Sequence, residues 1–309
     1  MKEMQGLTIV VPVFNEQECI GDTLIALGKI LNEVSFDWEV IVVDDGSSDD
    51  TEQTLKRHQK ERFKIVIHNE NKGYGAAVLT GILEARFRHV AITDADGTYP
   101  VKIIPDLYHK ALKDGFDMVV GARTGSNVMI PVLRKPAKWI IGKLANYVTG
   151  RVIPDINSGL RLFNRRVALL FRHLYPSGFS LTTTMTLAMM TNGYSVGYVP
   201  INYFQRAGKS KIRPVSDTLN FIKLIAMISL YFAPLRLFLP LSFCLVLAGV
   251  AWGIGTYVIF GKLADMSTLL LILAGINAGT VGLLAELVNH RTAYQYEKKK
   301  DDYKNDSSF

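Results

Sequence analysis

Cysteine is scarce in this chain: Cys19 and Cys244 are the two among 309 residues. One falls in a predicted helix and the other in a long apolar run, so neither a disulfide framework nor a zinc site can be assembled. Internal repeats and low-complexity segments are absent. A secretory leader pattern is also absent, because Lys2 and Glu3 precede only a short apolar stretch, 7–13, that Pro12 breaks. Residues 1 to about 235 are accordingly expected to stay in the cytosol. Acidic residues are outnumbered, 28 against 35 basic ones, for a net charge of +7. That balance suits anionic lipid headgroups or nucleic acid, but no nucleic-acid motif accompanies it, so the lipid surface is the partner kept.

Long apolar runs are present instead. Residues 237–260 carry no charge and would span roughly 36 Å as a helix, against a bilayer core of roughly 30 Å. After Lys262 and Asp265, residues 266–288 run apolar again except for Asn277 and Glu286. The pair predicts a transmembrane hairpin; two buried helices of a large soluble core are the alternative. Arg236 precedes the first run, and Arg291 and Lys298 to Lys300 follow the second. These basic flanks place both ends on the cytosolic side of the cell membrane, in a multi-pass protein. Gly249 and Gly253, and Gly275 and Gly279, are each four apart. Such spacing allows close helix contact, within the hairpin or between copies in a homo-oligomer.

The first 121 residues alternate two patterns. Short β-branched runs at 8–13, 39–43, 64–68, 90–93 and 117–121 predict strands, and segments 16–33, 49–60, 73–86 and 101–113 predict helices. That order gives an α/β fold with a mostly parallel sheet flanked by helices. Further on, a basic, aromatic helix is expected over 133–148, a helix over 180–192 and a strand over 194–204. An interfacial helix is expected at 216–235 and a charged, disordered tail from 297 to 309.

Chemistry gathers at the predicted strand ends. Asp94 and Asp96 follow the fourth strand one residue apart, where open α/β sheets bind ligands. Two carboxylates there suit Mg²⁺ or Mn²⁺, which take the rest of their ligands from substrate phosphates. Pro12-Val13-Phe14-Asn15-Glu16 ends the first strand, and Asp44-Asp45 ends the second. An aspartate pair there can accept hydrogen bonds from a nucleoside or cap the following helix. The segment 71–77, Asn-Lys-Gly-Tyr-Gly-Ala-Ala, superficially matches a dinucleotide fingerprint, but it follows the third strand and Val78 stands in its final glycine position. Gly73 and Gly75 are instead expected to let backbone approach a ligand, with a helix N-terminus near its negative charge. Asp155-Ile156-Asn157-Ser158-Gly159-Leu160-Arg161 concentrates polar groups in seven residues, and Arg206 to Arg213 forms a basic loop suited to phosphate.

In order, the segments PVFNE (12–16), VVDDGSSD (42–49), NKGYGAA (71–77), DADGTYP (94–100), GAR (121–123), DINSGLRLF (155–163) and QRAGKSK (205–211) resemble a family 2 glycosyltransferase of the polyprenyl-phosphate type. This group contains dolichol-phosphate mannose synthase and bacterial polyprenyl-phosphate glucosyltransferases. The resemblance implies a cytosolic GT-A-like domain over 1–215, a hairpin over 236–290 and a metal-dependent enzyme. The reaction implied is transfer of one sugar from a nucleotide diphosphate sugar to polyprenyl phosphate, with inversion. It assigns nucleotide binding to Pro12, Asn15, Glu16, Asp44, Asp45, Lys72, Gly73 and Asp94, and metal binding to Asp96 and Asp94. Arg123, Ser158, Arg161, Arg206, Ser210 and Lys211 would face the acceptor or the phosphates. Asp94, Asp96, Arg123, Asp155, Arg206 and Lys211 form the catalytic set. Thr98 occupies a place where some relatives have a further metal ligand, and the Trp-containing motif of processive synthases is missing after Gln205-Arg206. Two alternatives remain: a transferase acting on ceramide or diacylglycerol, and a non-catalytic membrane partner that binds nucleotide sugar.

Overall fold

The apolar run that forms β1 (Met4–Val13) is buried from Leu7 to Val13 without alternation, which requires cover on both faces. In the computed structural model it lies inside a seven-stranded sheet. The structure describes residues 4–59, 61–124, 142–143, 145–178, 180–204, 226, 229–230, 233–262 and 265–305, with side chains as far as 288. The first three elements after β1 are α1 (Ile20–Leu31), β2 (Trp38–Asp44) and α2 (Thr51–His58). Then come β3 (Phe63–Ile67), α3 (Tyr74–Glu84), β4 (Phe87–Ile92), α4 (Ile104–Asp114) and β5 (Met118–Ala122). Strand order is β3-β2-β1-β4-β6-β5-β7, where β6 is Arg161–Asn164 and β7 is Val196–Pro200. All neighbours are parallel except β6, which runs antiparallel to β4 and to β5.

Helix faces follow from spacing. α1 buries Ile20, Thr23, Leu24, Leu27 and Leu31, a stripe at three- and four-residue intervals. α4 stops at Gly115, whose left-handed φ of 68° closes the C-terminus. α3 lies directly on β1, since a Cβ at Gly81 would meet Val10 Cγ1 at 2.3 Å. This contact brings the N-terminus of α3 to the carboxyl end of the sheet. α5 (Arg165–Leu170) and α6 (Leu181–Thr191) follow β6.

The alternation expected from sequence is present, and strand ends differ from expectation by a few residues. β6 was not anticipated as a strand, because four residues that include an arginine fall below the length at which a pattern is visible. Of the helix expected over 133–148, residues 142–143 and 145–148 are described and helical. The remainder of that helix, the loop 205–213 and most of 216–232 lie outside the described residues.

The chain divides into two units, 1–224 and 225–309. In the second, α7 (Pro234–Phe260) and α8 (Asp265–Asn305) form the hairpin, and both are long and apolar enough to cross a membrane. Only 11% of each apolar window is buried, so these are not core helices. Glycines set the contact between them: a Cβ at Gly249 would meet Ile272 Cγ1 at 2.9 Å, and one at Gly275 would meet Val246 Cγ2 at 2.7 Å. The four-apart glycines thus pack within the hairpin. Glu286 accepts a hydrogen bond from Leu235 N–H at 3.2 Å, capping the start of α7. α8 continues to Asn305, which corrects the expected disordered tail. Ala293, Gln295, Glu297 and Lys298 to Lys300 are good helix formers that prolong a helix already nucleated.

Candidate active site

Strand order reverses at β1: the chain moves to β2 on one side and to β4 on the other, which creates a crevice at the carboxyl ends. A cavity of about 280 Å³ lies there. Pro12, Phe14 and Glu16 line it after β1, Asp45 after β2, Gly73 and Tyr74 at the start of α3, and Asp94 and Asp96 after β4.

The β1 and β2 ends are laced together. Asn15 adopts a φ of 53°, a left-handed conformation that asparagine tolerates better than most residues. Its N–H donates to Ser47 Oγ at 2.9 Å, and its Oδ1 accepts from Ser48 N–H at 2.8 Å. Glu16 N–H donates to Thr51 Oγ1 at 3.0 Å. These contacts hold 14–17 as a loop, so α1 begins four residues later than expected. Asp44 Oδ1 accepts from Ser47 N–H at 3.0 Å and Ser47 Oγ at 2.6 Å, closing its own loop. Asp45 Oδ1 accepts from His68 Nδ1 at 2.7 Å and Lys72 N–H at 2.9 Å; its Oδ2 accepts from Gly73 N–H at 2.7 Å. Both carboxylates are buried, and Asp45 reaches the cavity wall.

Gly73 and Gly75 correct an expectation. They do let backbone come close, but what comes close is the 176–178 turn. A Cβ at Gly73 would meet Ser177 O at 2.5 Å, and one at Gly75 would meet Pro176 O at 2.1 Å. The N–H groups of Gly75 and Ala76 donate to Ser177 O, at 2.6 and 3.3 Å. A carbonyl of the chain therefore takes the helix N-terminus that the sequence offered to a phosphate.

Asp94 and Asp96 are only half-buried and flank the cavity. Thr98 N–H and Oγ1 donate to Asp96 Oδ1 at 3.1 and 2.6 Å, so Thr98 orients the carboxylate. Tyr74 Oη donates to Asp94 Oδ1 at 3.2 Å. Burial, and then the Asp94 charge, hold that phenol well above its ordinary pKa, so it remains a donor. A Cβ at Gly159 would stand 2.9 Å from Asp94 Oδ2, so only glycine lets this loop run beneath the carboxylate. Among the described residues no three His, Cys, Asp or Glu side chains converge as a closed metal cage. Two hard oxygen donors on a cavity wall fit a divalent ion of the Mg²⁺ or Mn²⁺ kind, which would draw its other ligands from phosphate and water.

Past β5, Arg123 and Asp155 form a two-pronged pair, Nε to Oδ2 at 2.7 Å and Nη2 to Oδ1 at 2.9 Å. Burial acts against the Arg123 charge, but the Asp155 hydrogen bonds and charge, with the neighbouring Tyr99 and Tyr203, together outweigh it and raise its pKa. Arg123 also lies 5.3 Å from the Tyr203 ring, which meets Tyr99 edge-on. Tyr99 Oη in turn accepts from Gly159 N–H at 2.7 Å. Asp155 is 1% exposed and is committed to positioning Arg123.

Ser158 and Arg161 do not face an acceptor. Ser158 Oγ donates to Gly121 O at 2.5 Å. Arg161 is fully buried, donating to Ser158 O, to Thr182 O at 2.6 Å and to Thr186 Oγ1 at 2.9 Å. Burial lowers its pKa, and the carbonyl cage is what makes the charge tolerable there. Both residues brace β6. Arg206, Ser210 and Lys211 lie outside the described residues. The residues that sequence reasoning missed are His68, Tyr74, Tyr99 and Tyr203. Tyr74 and Tyr99 stand inside motifs quoted for their neighbours, whereas His68 and Tyr203 carry no local signal.

A family model described as glycosyl transferase family 2 matches residues 8–170, and one described as GtrB C-terminal hairpin matches 233–290. A dolichyl-phosphate hexose transferase of Haloferax volcanii is 31% identical over 67% of this chain and 87% of its own length. An undecaprenyl-phosphate 4-deoxy-4-formamido-L-arabinose transferase of Salmonella choleraesuis is 30% identical over 53% of this chain; the match spans half of that relative. Among solved structures, glucosyl-3-phosphoglycerate synthase from Mycobacterium tuberculosis superposes with a TM-score of 0.57 at 18% identity, covering 72% of this chain and 80% of that one. That neighbour is a complex with Mn²⁺, UDP and glucosyl-3-phosphoglycerate, and another crystal of it holds Mg²⁺ and UDP. At this identity it bears on the fold, which is GT-A-like. With its matched hairpin and exposed apolar helices, the chain is a membrane protein.

Proposed function

The chain belongs to glycosyl transferase family 2, and from that premise we propose that it moves one sugar from a nucleoside diphosphate sugar to the phosphate of a polyprenol at the cytosolic membrane face. The observation that carries the reading is the pair Asp94 and Asp96 on a cavity at the switch point of the sheet, in a chain that also carries an apolar hairpin. The relatives' names and the metal and nucleotide in the fold neighbour support the same reading.

Pro12, Phe14 and Asp45 would contact the nucleoside, with Asn15, Asp44, Lys72 and Gly73 shaping that wall. Asp96 and Asp94 would hold Mn²⁺ or Mg²⁺, which supplies neutralisation of the leaving diphosphate. Arg123, aimed by Asp155, would meet the sugar or the acceptor phosphate, and Arg206, Ser210 and Lys211 would close over the phosphates. A phosphate monoester has its second pKa near ~6, so the nucleophile is already ionised and needs no strong base. Asp155 suits that chemistry: buried and bidentate to Arg123, it is poorly placed to accept a proton. Acceptors with a neutral hydroxyl, such as ceramide or diacylglycerol, would need such a base. A single displacement would invert the anomeric centre.

Purified full-length protein in lipid, given a panel of UDP- and GDP-sugars with polyprenyl phosphate and Mn²⁺, should form a polyprenyl monophosphosugar from one donor. Transfer to ceramide or diacylglycerol alone, or none with any donor, overturns the reading. For the multi-pass orientation, a cysteine at position 262 should be modified only from outside and one at 299 only from inside. Modification of both from one side contradicts it.

A further inference from the structure

α8 has two opposite faces along its apolar part. One, through Gly275, Gly279 and Gly282, packs on Val246, Ser242 and Phe238 of α7. About 180° away, at roughly 100° per residue, stand Met266, Leu270, Leu273, Asn277, Thr280 and Leu284. Their spacing is 4, 3, 4, 3, 4, the seam of a coiled coil with one asparagine in it. The apolar members are well exposed, Met266 at 72%, Leu270 at 61%, Leu273 at 45% and Leu284 at 58%. Asn277 is exposed too, and it stands at the midpoint of the span 266–288. Thr280 satisfies its own hydroxyl on Ile276 O at 3.0 Å.

Leucines facing lipid need no partner; an amide at the centre of a bilayer does, because nothing in hydrocarbon can hydrogen-bond it. We propose that this stripe is a self-association surface, on which a second copy packs its own α8 and the two Asn277 amides hydrogen-bond reciprocally. The occupant follows from depth and chemistry. A carboxamide both donates and accepts, so it is complementary to itself. Copies inserted in the same orientation and related by a two-fold axis along the membrane normal bring their amides to the same depth. The leucines above and below then interdigitate, and the single polar seam position fixes register. The glycine face takes no part, since α7 already fills it.

The test uses the full-length chain in proteoliposomes that contain no other protein, with Cys19 and Cys244 replaced by serine. Under oxidation, Leu273→Cys and Thr280→Cys should give disulfide-linked dimers, while Ile276→Cys and Leu283→Cys, exposed but off the stripe, should give few. By energy transfer between labelled copies, Asn277→Leu should weaken association roughly 3- to 30-fold and Asn277→Gln should largely restore it. Cross-linking that ignores the stripe, or Asn277→Leu copies that associate as well as the original, overturns the proposal. Because both readouts are physical, neither depends on which sugar the protein transfers.

Discussion

Two aspartate pairs stand at the same edge of one sheet and have different fates. At the end of β2 the chain itself engages the pair: Ser47 holds Asp44 Oδ1, and His68 with two backbone N–H groups holds both oxygens of Asp45. At the end of β4, Asp94 and Asp96 are each steadied by a hydroxyl, from Tyr74 and Thr98, and still border the cavity. What separates them is burial: Asp44 and Asp45 are enclosed, whereas Asp94 and Asp96 are only half-buried. The glycine- and serine-rich loop after β2 and the 71–73 segment offer N–H groups to the first pair. The turn after β4 leaves its pair half-buried on the cavity wall, where a cation could reach it. A carboxylate at a strand end can thus serve as a ligand only to the extent that the fold exposes it to the cavity.

This contrast breaks most sharply at Asp96. Asp96→Ala should cut turnover by at least about a thousandfold, since a metal's charge stabilisation is worth several kcal/mol, with little change in melting. Normal turnover of that variant in excess chelator would remove the metal assignment. The opposite pattern is expected at Arg161, where Arg161→Met should lose about 3 kcal/mol of stability by stranding the carbonyls of Ser158 and Thr182. Denaturant unfolding checks this; unchanged stability with weakened acceptor binding would restore Arg161 to the site. Between these lies Asp45→Asn, which trades a carboxylate with three donors for a neutral amide and should cost about 2 kcal/mol while raising the donor KM.

The smallest expected effect belongs to neither pair. His89 is buried with Nδ1 unpartnered, and burial, then Arg88, lower its pKa from 6.5 to about 4. As pH falls below 6.5 the unfolded chain takes up this proton first, so stability declines through that window until about 4. Between about pH 7 and 5.5 the loss should be about 1 kcal/mol. His89→Phe should remove it while keeping the edge contact with Tyr108. If the decline persists in that variant, His89 is not its source.

Much of this was legible in the sequence, and the reasons for the rest are specific. Runs such as 8–13 and 39–43 are apolar on both faces and bounded by loops, so the alternating sheet could be read directly, and Asp94 and Asp96 stood out because such a run precedes them. β6 was hidden because four residues around a buried arginine make no pattern. Arg161 and Ser158 looked like site residues because polarity in a loop signals function, whereas here it satisfies carbonyls brought in from α6 and β5. Likewise Ser177 meets Gly75 from a hundred residues away, a contact that spacing within either segment cannot announce.

The central claim is that the β4 pair holds the cation, whereas Asp44 of the β2 pair serves the fold. It is tested most directly by titrating Mn²⁺ into full-length protein with UDP or GDP, following free Mn²⁺ by electron paramagnetic resonance, alongside thermal unfolding. Two nearly isosteric variants are compared, Asp96→Asn and Asp44→Asn. The account predicts that Asp96→Asn loses nucleotide-dependent Mn²⁺ binding at unchanged melting temperature, and that Asp44→Asn keeps it while melting earlier. Full Mn²⁺ affinity in Asp96→Asn, or its loss in an Asp44→Asn protein that melts like the original, would contradict it.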